Sequence, residues 1–467
     1  MVERGRVAGM TGLSPGGPAF QVRLKVSLMP LLIVALGIFM LLLLIVVFRI
    51  NAFIAFTIVS ISVGITSGMP LGDIISSFQE GIGGTLGFLV LILGFGAMLG
   101  KLVADSGAAQ RIATKLISLF GVKHIQWAVV LTGFIVGVPM FFTVGFVILI
   151  PLLFTIAIAT RVPLLYVGIP MVASLSVTHG LLPPHPAPTA IAVMFDADIG
   201  KTLIYGIIIS IPVIIIAGPL FARMFKKIKA KPLEEFVNPR VLGEDEMPGI
   251  WNSVLTTLLP VILISASFVA DLVLPEDRQV TLFFKAAGDP VVAMLISLLV
   301  AVFSLGIARG RRMGELMESL GHSIGSITMV LLIIAGAGGL KEVLVDSGIS
   351  GYIAGLLDTS AMSPLLLAWM IAALLRISVG SATVAALTTA GILLPLTLDA
   401  AVSKELTILA IGAGSLIFSH VNDGGFWLFK EYFGLTVRET FLTWTAMETL
   451  ISVLGLLGVL VLNVFIF

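Results

Sequence analysis

From Leu28 to Phe48 the chain carries no charged side chain. A helix needs about 20 apolar residues to cross the hydrocarbon of a bilayer, and this run meets that length. Comparable runs recur to the last residue. Within lipid every backbone polar group must be satisfied inside the chain, so such runs fold as helices. Composition agrees: 58% of the 467 residues are hydrophobic and 11% charged, against about 25% charged in soluble domains. The sequence therefore describes an all-α polytopic membrane protein, expected in a bacterial inner membrane with lipid as its solvent. A net charge of +1 points away from nucleic acid, and the absence of cysteine excludes disulfides and thiolate metal sites.

Full spans fit near residues 28–48, 51–69, 82–104, 164–196, 201–222, 252–274, 290–308, 321–345, 405–429 and 441–465. Two further apolar stretches, 126–159 and 363–399, are interrupted at mid-length. Their arms are about 16 residues each, short of a full crossing. Each stretch is expected to dip in and return as a re-entrant helical hairpin; two short spans apiece is the alternative. Irregular backbone at depth needs a protein-lined or wet cavity. Basic residues crowd three loops: Arg111, Lys115 and Lys123; Arg223, Lys226, Lys227, Lys229 and Lys231; Arg309, Arg311 and Arg312. The positive-inside rule makes these cytoplasmic. The loops at 70–80 and 275–289 then lie outside, as do both termini. Residues 1–28 hold Arg4, Arg6, Arg23 and Lys25 among Gly and Pro. They run against that rule and read as a disordered or added tail.

The two halves resemble each other. Residues 99–107 read LGKLVADSG and residues 340–348 read LKEVLVDSG; Asp105 and Asp346 lie 241 positions apart, and so do His179 and His420. The organisation expected is a first repeat at 29–222, a cytoplasmic linker at 223–250 and a second repeat at 251–467. Five full spans precede the linker, so the second half enters the membrane inverted. Inverted repeats with broken helices, here at 164–196 and 405–429, mark secondary transporters, with the substrate where the breaks meet.

The first break holds four prolines in six positions, Pro183, Pro184, Pro186 and Pro188, and continuous helix is impossible there. Amides downstream of a break, at a half-helix N-terminus, favour an anion. Thr178, His179, Gly180, His185 and Thr189 are its candidate substrate contacts; a structural kink is the alternative. The second break contributes His420, Asn422 and Asp423, the last serving either as a proton acceptor or as a helix cap. The hairpin tips add Gly380, Ser381 and Thr383 on one side and, between Gly137 and Thr143, the hydroxyl of Thr143 on the other. Arg376 pairs with a carboxylate or braces its hairpin. Asp105 and Asp346 fit helix-end contacts, Lys101 and Lys341 snorkel, and Glu448, two turns into the last span, fits an interfacial position. The two histidines at 179 and 185 lack the carboxylates or thiolates that would complete a metal site, so neither metal nor cofactor is expected. No nucleophile–base constellation suggests an enzyme, polar groups clustered at two breaks do not make a channel, and no phosphate-binding loop suggests ATP. An ion gradient remains as driving force, and histidine suits protons.

The stretches GFGAMLGKLVADSGAAQRIA at 94–113, SVTHGLLPPHPAPTAIA at 176–192, GSATVAA at 380–386 and FSHVNDGGFWLFKEYF at 418–433 closely resemble the gluconate permease family of bacterial proton symporters, within the ion transporter superfamily. The likeness runs from about Met29 to the C-terminus. It implies inverted repeats with hairpins, a homodimer and elevator-type movement. The substrates it implies are gluconate and related sugar acids, with D-serine or glycerate in some branches. It also implies an acidic residue in the Phe-Phe-x-Val-Gly-Phe stretch, where this chain has Thr143. Proton coupling then falls to another group, with His179, His185, His420 and Asp423 as candidates; an uncoupled binding or exchange form is the alternative.

Overall fold

The computed structural model describes residues 29–30, 32–41, 43–228, 230, 242–275, 279–325, 327–349, 363–397, 403–421 and 423–466. The expectations for residues 1–28, for most of the linker and for Asn422 lie outside the described residues.

The described residues are helical throughout. In chain order the helices are α1 (Leu32–Ile45), α2 (Ala52–Thr66), α3 (Leu71–Asp105), α4 (Ala108–Phe120), α5 (Ile125–Gly137), α6 (Phe142–Thr160), α7 (Leu164–Leu181), α8 (Pro186–Met194) and α9 (Ile199–Ile215). After the linker come α10 (Ile250–Val273), α11 (Gln279–Gly288), α12 (Pro290–Ala301), α13 (Met313–Gly325), α14 (Thr328–Asp346), α15 (Pro364–Val379), α16 (Ala382–Thr397), α17 (Lys404–Gly414), α18 (Gly424–Phe433) and α19 (Val437–Ile466). Among the described residues seven helical segments are long and apolar enough to cross a membrane. Large apolar side chains such as Phe39, Trp251, Phe303 and Phe465 stand exposed on outward faces, as lipid-facing helices require.

Three expected boundaries are corrected. Residues 71–80 are not a loop: α3 is 35 residues long, about 52 Å at 1.5 Å per residue. Pro70 precedes it, Asp73 sits in its first turn where the helix dipole favours an acid, and Ser77, Gly81 and Thr85 are buried along one face. Residues 279–288, also expected as loop, form α11. The span expected at 321–345 is instead two helices, α13 and α14.

Helices α3 and α14 cross at very close range. A Cβ on Gly338 would lie 2.3 Å from Thr85 Oγ1, and one on Gly81 would lie 2.3 Å from the Gly338 carbonyl oxygen, so only glycine lets the backbones meet. The Asp-Ser-Gly repeat also finds its role here. Ser319 of α13 donates to Asp105 Oδ2 at 2.9 Å, and Ser77 of α3 donates to Asp346 Oδ2 at 2.5 Å. Each repeat-related aspartate ends its helix on a serine from the opposite half.

The basic loops gather at one end. Arg111 donates through Nε to the Pro248 carbonyl at 2.9 Å, Arg309 donates to the Asp245 carbonyl at 2.7 Å, and Lys226 sits 4.5 Å from the ring of Tyr166 at the start of α7. Lys404, at the start of α17, instead donates to the Asp196 carbonyl, beyond the far end of α8, at 3.2 Å. Thus α7 and α17, equivalent at the 241-residue offset, begin at opposite ends. The segment Leu164–Met194 is the most enclosed of the seven, with 83% of its apolar window buried, so α7 and α8 are the axis on which the site is built.

Candidate functional site

Helix α7 ends at Leu181 because Pro183 and Pro184 cannot continue it, and α8 restarts with Pro186 as its first residue, where a missing N–H costs nothing. In the second half α17 ends at Gly414, and α18 begins after Asp423, whose Oδ1 caps the chain by accepting from the Gly425 N–H at 3.0 Å. Between α5 and α6 the chain turns at residues 138–141. Between α15 and α16 it turns at Gly380 and Ser381.

These four irregular points meet around one cavity of about 590 Å3. Phe141, Phe142, Thr143 and Val144 come from the first tip, and Ser381, Ala382 and Thr383 from the second. His179 and Pro186 come from the first break, Asp423, Gly424 and Gly425 from the second. Arg376, Ser176, Trp444 and Glu448 complete the polar lining.

The charged centre is one connected network. Arg376 is 3% exposed; it donates through Nη1 to the Gly380 carbonyl and through Nη2 to Asp423 Oδ2. Asp423 Oδ2 also accepts from the Ser419 hydroxyl, and Ser419 Oγ accepts from Trp444 Nε1 at 2.7 Å. The guanidinium therefore joins the second hairpin to the second break, and Trp444 ties both to α19. Two helix N-termini, those of α16 and α18, open onto the same space, each equivalent to roughly half a positive charge. A buried cation beside two such ends is an anion site in its chemistry.

The expected site residues divide. His179, Ser381, Thr383, Asp423 and Thr143 line the cavity. His185 stands behind it: its ring nitrogens lie 3.3 Å from His179 Nδ1 and 2.8 Å from the Gly137 carbonyl oxygen. Thr178 and Thr189 are buried and donate to the Leu175 and His185 carbonyls at 3.0 Å and 2.6 Å. Gly180 is a crossing point, since a Cβ on Gly412 of α17 would lie 2.3 Å from its carbonyl oxygen. Gly380 closes α15 and offers its carbonyl to Arg376. His420 lies 3.0 Å through Nε2 from the Ile377 carbonyl oxygen, away from the cavity lining.

Glu448 corrects its interfacial expectation. It is 1% exposed, one oxygen accepts from Ser176 at 2.9 Å, and it faces the cavity. The helix that carries it starts at Val437 and not at 441, so Glu448 sits three turns deep. The signal was present: beyond Glu439 it is the one charged residue of the chain, and a lone charge inside an apolar span is a functional position by default.

A family model described as GntP family permease matches residues 29–465. The chain belongs to the GntP permease family. It is 54% identical over 435 residues to the Gnt-II system L-idonate transporter of Escherichia coli K12, covering 93% of this chain and 99% of that protein. It is 55% identical to a high-affinity gluconate transporter of the same organism over the same shares. The gluconate permease of Bacillus licheniformis is 51% identical, with 94% and 100% covered. In fold, this GntP permease is similar to the Alcanivorax borkumensis YdaH transporter, with a TM-score of 0.64 at 18% identity over 89% of this chain and 97% of that one. It is a multi-pass inner-membrane transporter and not an enzyme.

Proposed function

We propose that this permease imports gluconate or a closely related sugar acid together with protons, binding it in the cavity where the hairpin tips and helix breaks converge. The observation that carries the reading is Arg376, buried in the cavity wall beside the N-termini of α16 and α18. That arrangement suits a carboxylate. The hydroxyls of Ser381 and Thr383 and the ring of His179 suit the sugar's hydroxyl groups. Relatives named for gluconate and L-idonate, both sugar acids, support the same class.

Arg376 spends one N–H of each Nη atom on the Gly380 carbonyl and on Asp423, and its Nε has no partner among the described residues, so the guanidinium keeps donors beyond those two contacts. A substrate carboxylate that reaches it meets the group that already ties the second tip to the second break. Two inverted repeats moving as an elevator are supported by the histidine contacts. His185 holds the first break to Gly137 and His420 holds the second to Ile377, so tips and breaks travel as one block against α3 and α14. A homodimer comes with the family likeness.

Uptake of radiolabelled gluconate into proteoliposomes, with and without an inward proton gradient, tests the reading. Saturable, gradient-driven accumulation that L-idonate competes away is the expected result. No saturable gluconate uptake or exchange, with D-serine or glycerate carried instead, overturns the substrate class.

A further inference from the structure

We infer that Glu448 carries the coupled proton in this permease; the inference rests on the sugar-acid reading above. Its side chain is buried on α19 and reaches the cavity across from Arg376 and Asp423. One carboxyl oxygen accepts from Ser176; the other, Oε1, has no hydrogen-bond partner among the described residues. A buried carboxylate oxygen without a donor is costly as an anion, whereas the same group with a proton carries no charge to bury.

Asp423 is built the opposite way. Its two oxygens accept from the Gly425 N–H, the Ser419 hydroxyl and Arg376, three donors of which one is a cation, so both oxygens are partnered. Of the two cavity carboxylates, Glu448 is therefore the one free to gain and lose a proton. His179 of α7 lines the cavity and lies 3.3 Å from His185. Lys201 and Tyr205 of α9, and Lys404 and Glu405 of α17, lie outside the cavity lining, with Lys201 paired to Glu405 at 3.9 Å.

Charge accounting links the proton to the substrate. With neutral histidines the cavity holds one cation, Arg376, and two carboxylates, Asp423 and Glu448. An incoming sugar acid adds a third negative charge to the same cavity, where like charges repel. One proton taken from the entry side by Glu448 offsets that charge, and its release on the exit side accompanies loss of the substrate. Binding of one species then strengthens binding of the other by the same factor. The sign is definite: gluconate binds more tightly as pH falls through the range in which Glu448 protonates.

The test separates coupling from transport. Purified protein in proteoliposomes is assayed for gluconate exchange without a gradient and for accumulation under an inward proton gradient. Glu448→Gln, which mimics the protonated acid in shape, is expected to retain exchange, to lose gradient-driven accumulation and to bind gluconate with a flattened pH profile. Ser176→Ala removes the one donor to the ionised group and is expected to move the pH midpoint of binding upward while accumulation persists. Should Glu448→Gln not fold, that midpoint shift and the uptake of a proton by wild-type protein on binding gluconate in weakly buffered detergent solution still decide. Accumulation by Glu448→Gln at the wild-type level, an unmoved midpoint in Ser176→Ala, or no proton uptake on binding each overturns the assignment. Wild-type protein that neither binds nor exchanges gluconate instead overturns the substrate reading.

Discussion

The two helix breaks border the same cavity and are built from opposite materials. The first is dry and uncharged: Leu181, Leu182 and His185 are buried, four prolines set its path, and its polar contacts run among histidines, threonine hydroxyls and backbone carbonyls. The second is ionic: Asp423, Ser419 and Arg376 form a charged network against the cavity, and Asp423 caps the helix that follows. Proline interrupts a helix without adding charge. A capped Asp-Gly-Gly start interrupts it and leaves a carboxylate and open amides beside the space for a ligand. One cavity can thus draw rigid geometry from one break and electrostatics from the other.

The sharpest way to break this comparison is Arg376→Ala. Removing one partner of a buried ion pair costs about 3–5 kcal/mol. The variant is expected to lose gluconate binding outright and to unfold at a much lower temperature, read by uptake and by a thermal-shift assay. Next in size is Gly338→Val. The new side chain meets Thr85 and the Gly81 carbonyl, and overpacking of this kind costs about 1–3 kcal/mol or more. A loss of monodisperse protein in size-exclusion chromatography checks it, and normal yield would mean that α3 and α14 do not fix the two halves. His185→Ala tests the dry break. Losing the contact to the Gly137 carbonyl costs about 1–3 kcal/mol. Transport should slow while gluconate affinity changes far less than in Arg376→Ala, and an equal loss of affinity would erase the contrast between the breaks. The smallest effect is expected from Ser319→Ala, about 0.5–1.5 kcal/mol for one hydrogen bond at a helix end, seen as a slight fall in melting temperature with uptake intact.

Much of the architecture was legible because lipid leaves few choices. Charge-free runs have to be helices, and prolines clustered at 183–188 have to break one. The extents of α3 and α11 were not legible, because Asp73, Ser76, Ser77, Gln79 and Glu80 look like a loop until α14 is there to cover Ser77 and Gly81. At the site, the local motifs drew attention to His179, His185 and His420, yet a motif cannot say which way a ring faces. His179 reaches the cavity and His185, six residues on, stands behind it. The interfacial expectation for Glu448 failed for a related reason. Its depth depends on where α19 begins, and Thr436 with Glu439 starts that helix early through a reciprocal capping box, polar residues that hydropathy counts as outside the span. The Arg376–Asp423 pair joins residues 47 positions apart, and only the folded hairpin brings them together.

The reciprocal serine–aspartate contacts have a consequence for synthesis. Asp105 waits for Ser319, 214 residues downstream, and Ser77 waits for Asp346, 269 residues downstream. At about 5–20 residues per second of translation, the amino-terminal half stands in the bilayer for many seconds before the serine and the aspartate that its longest helix will meet have been made. A chain that stops short of α13 never forms either contact.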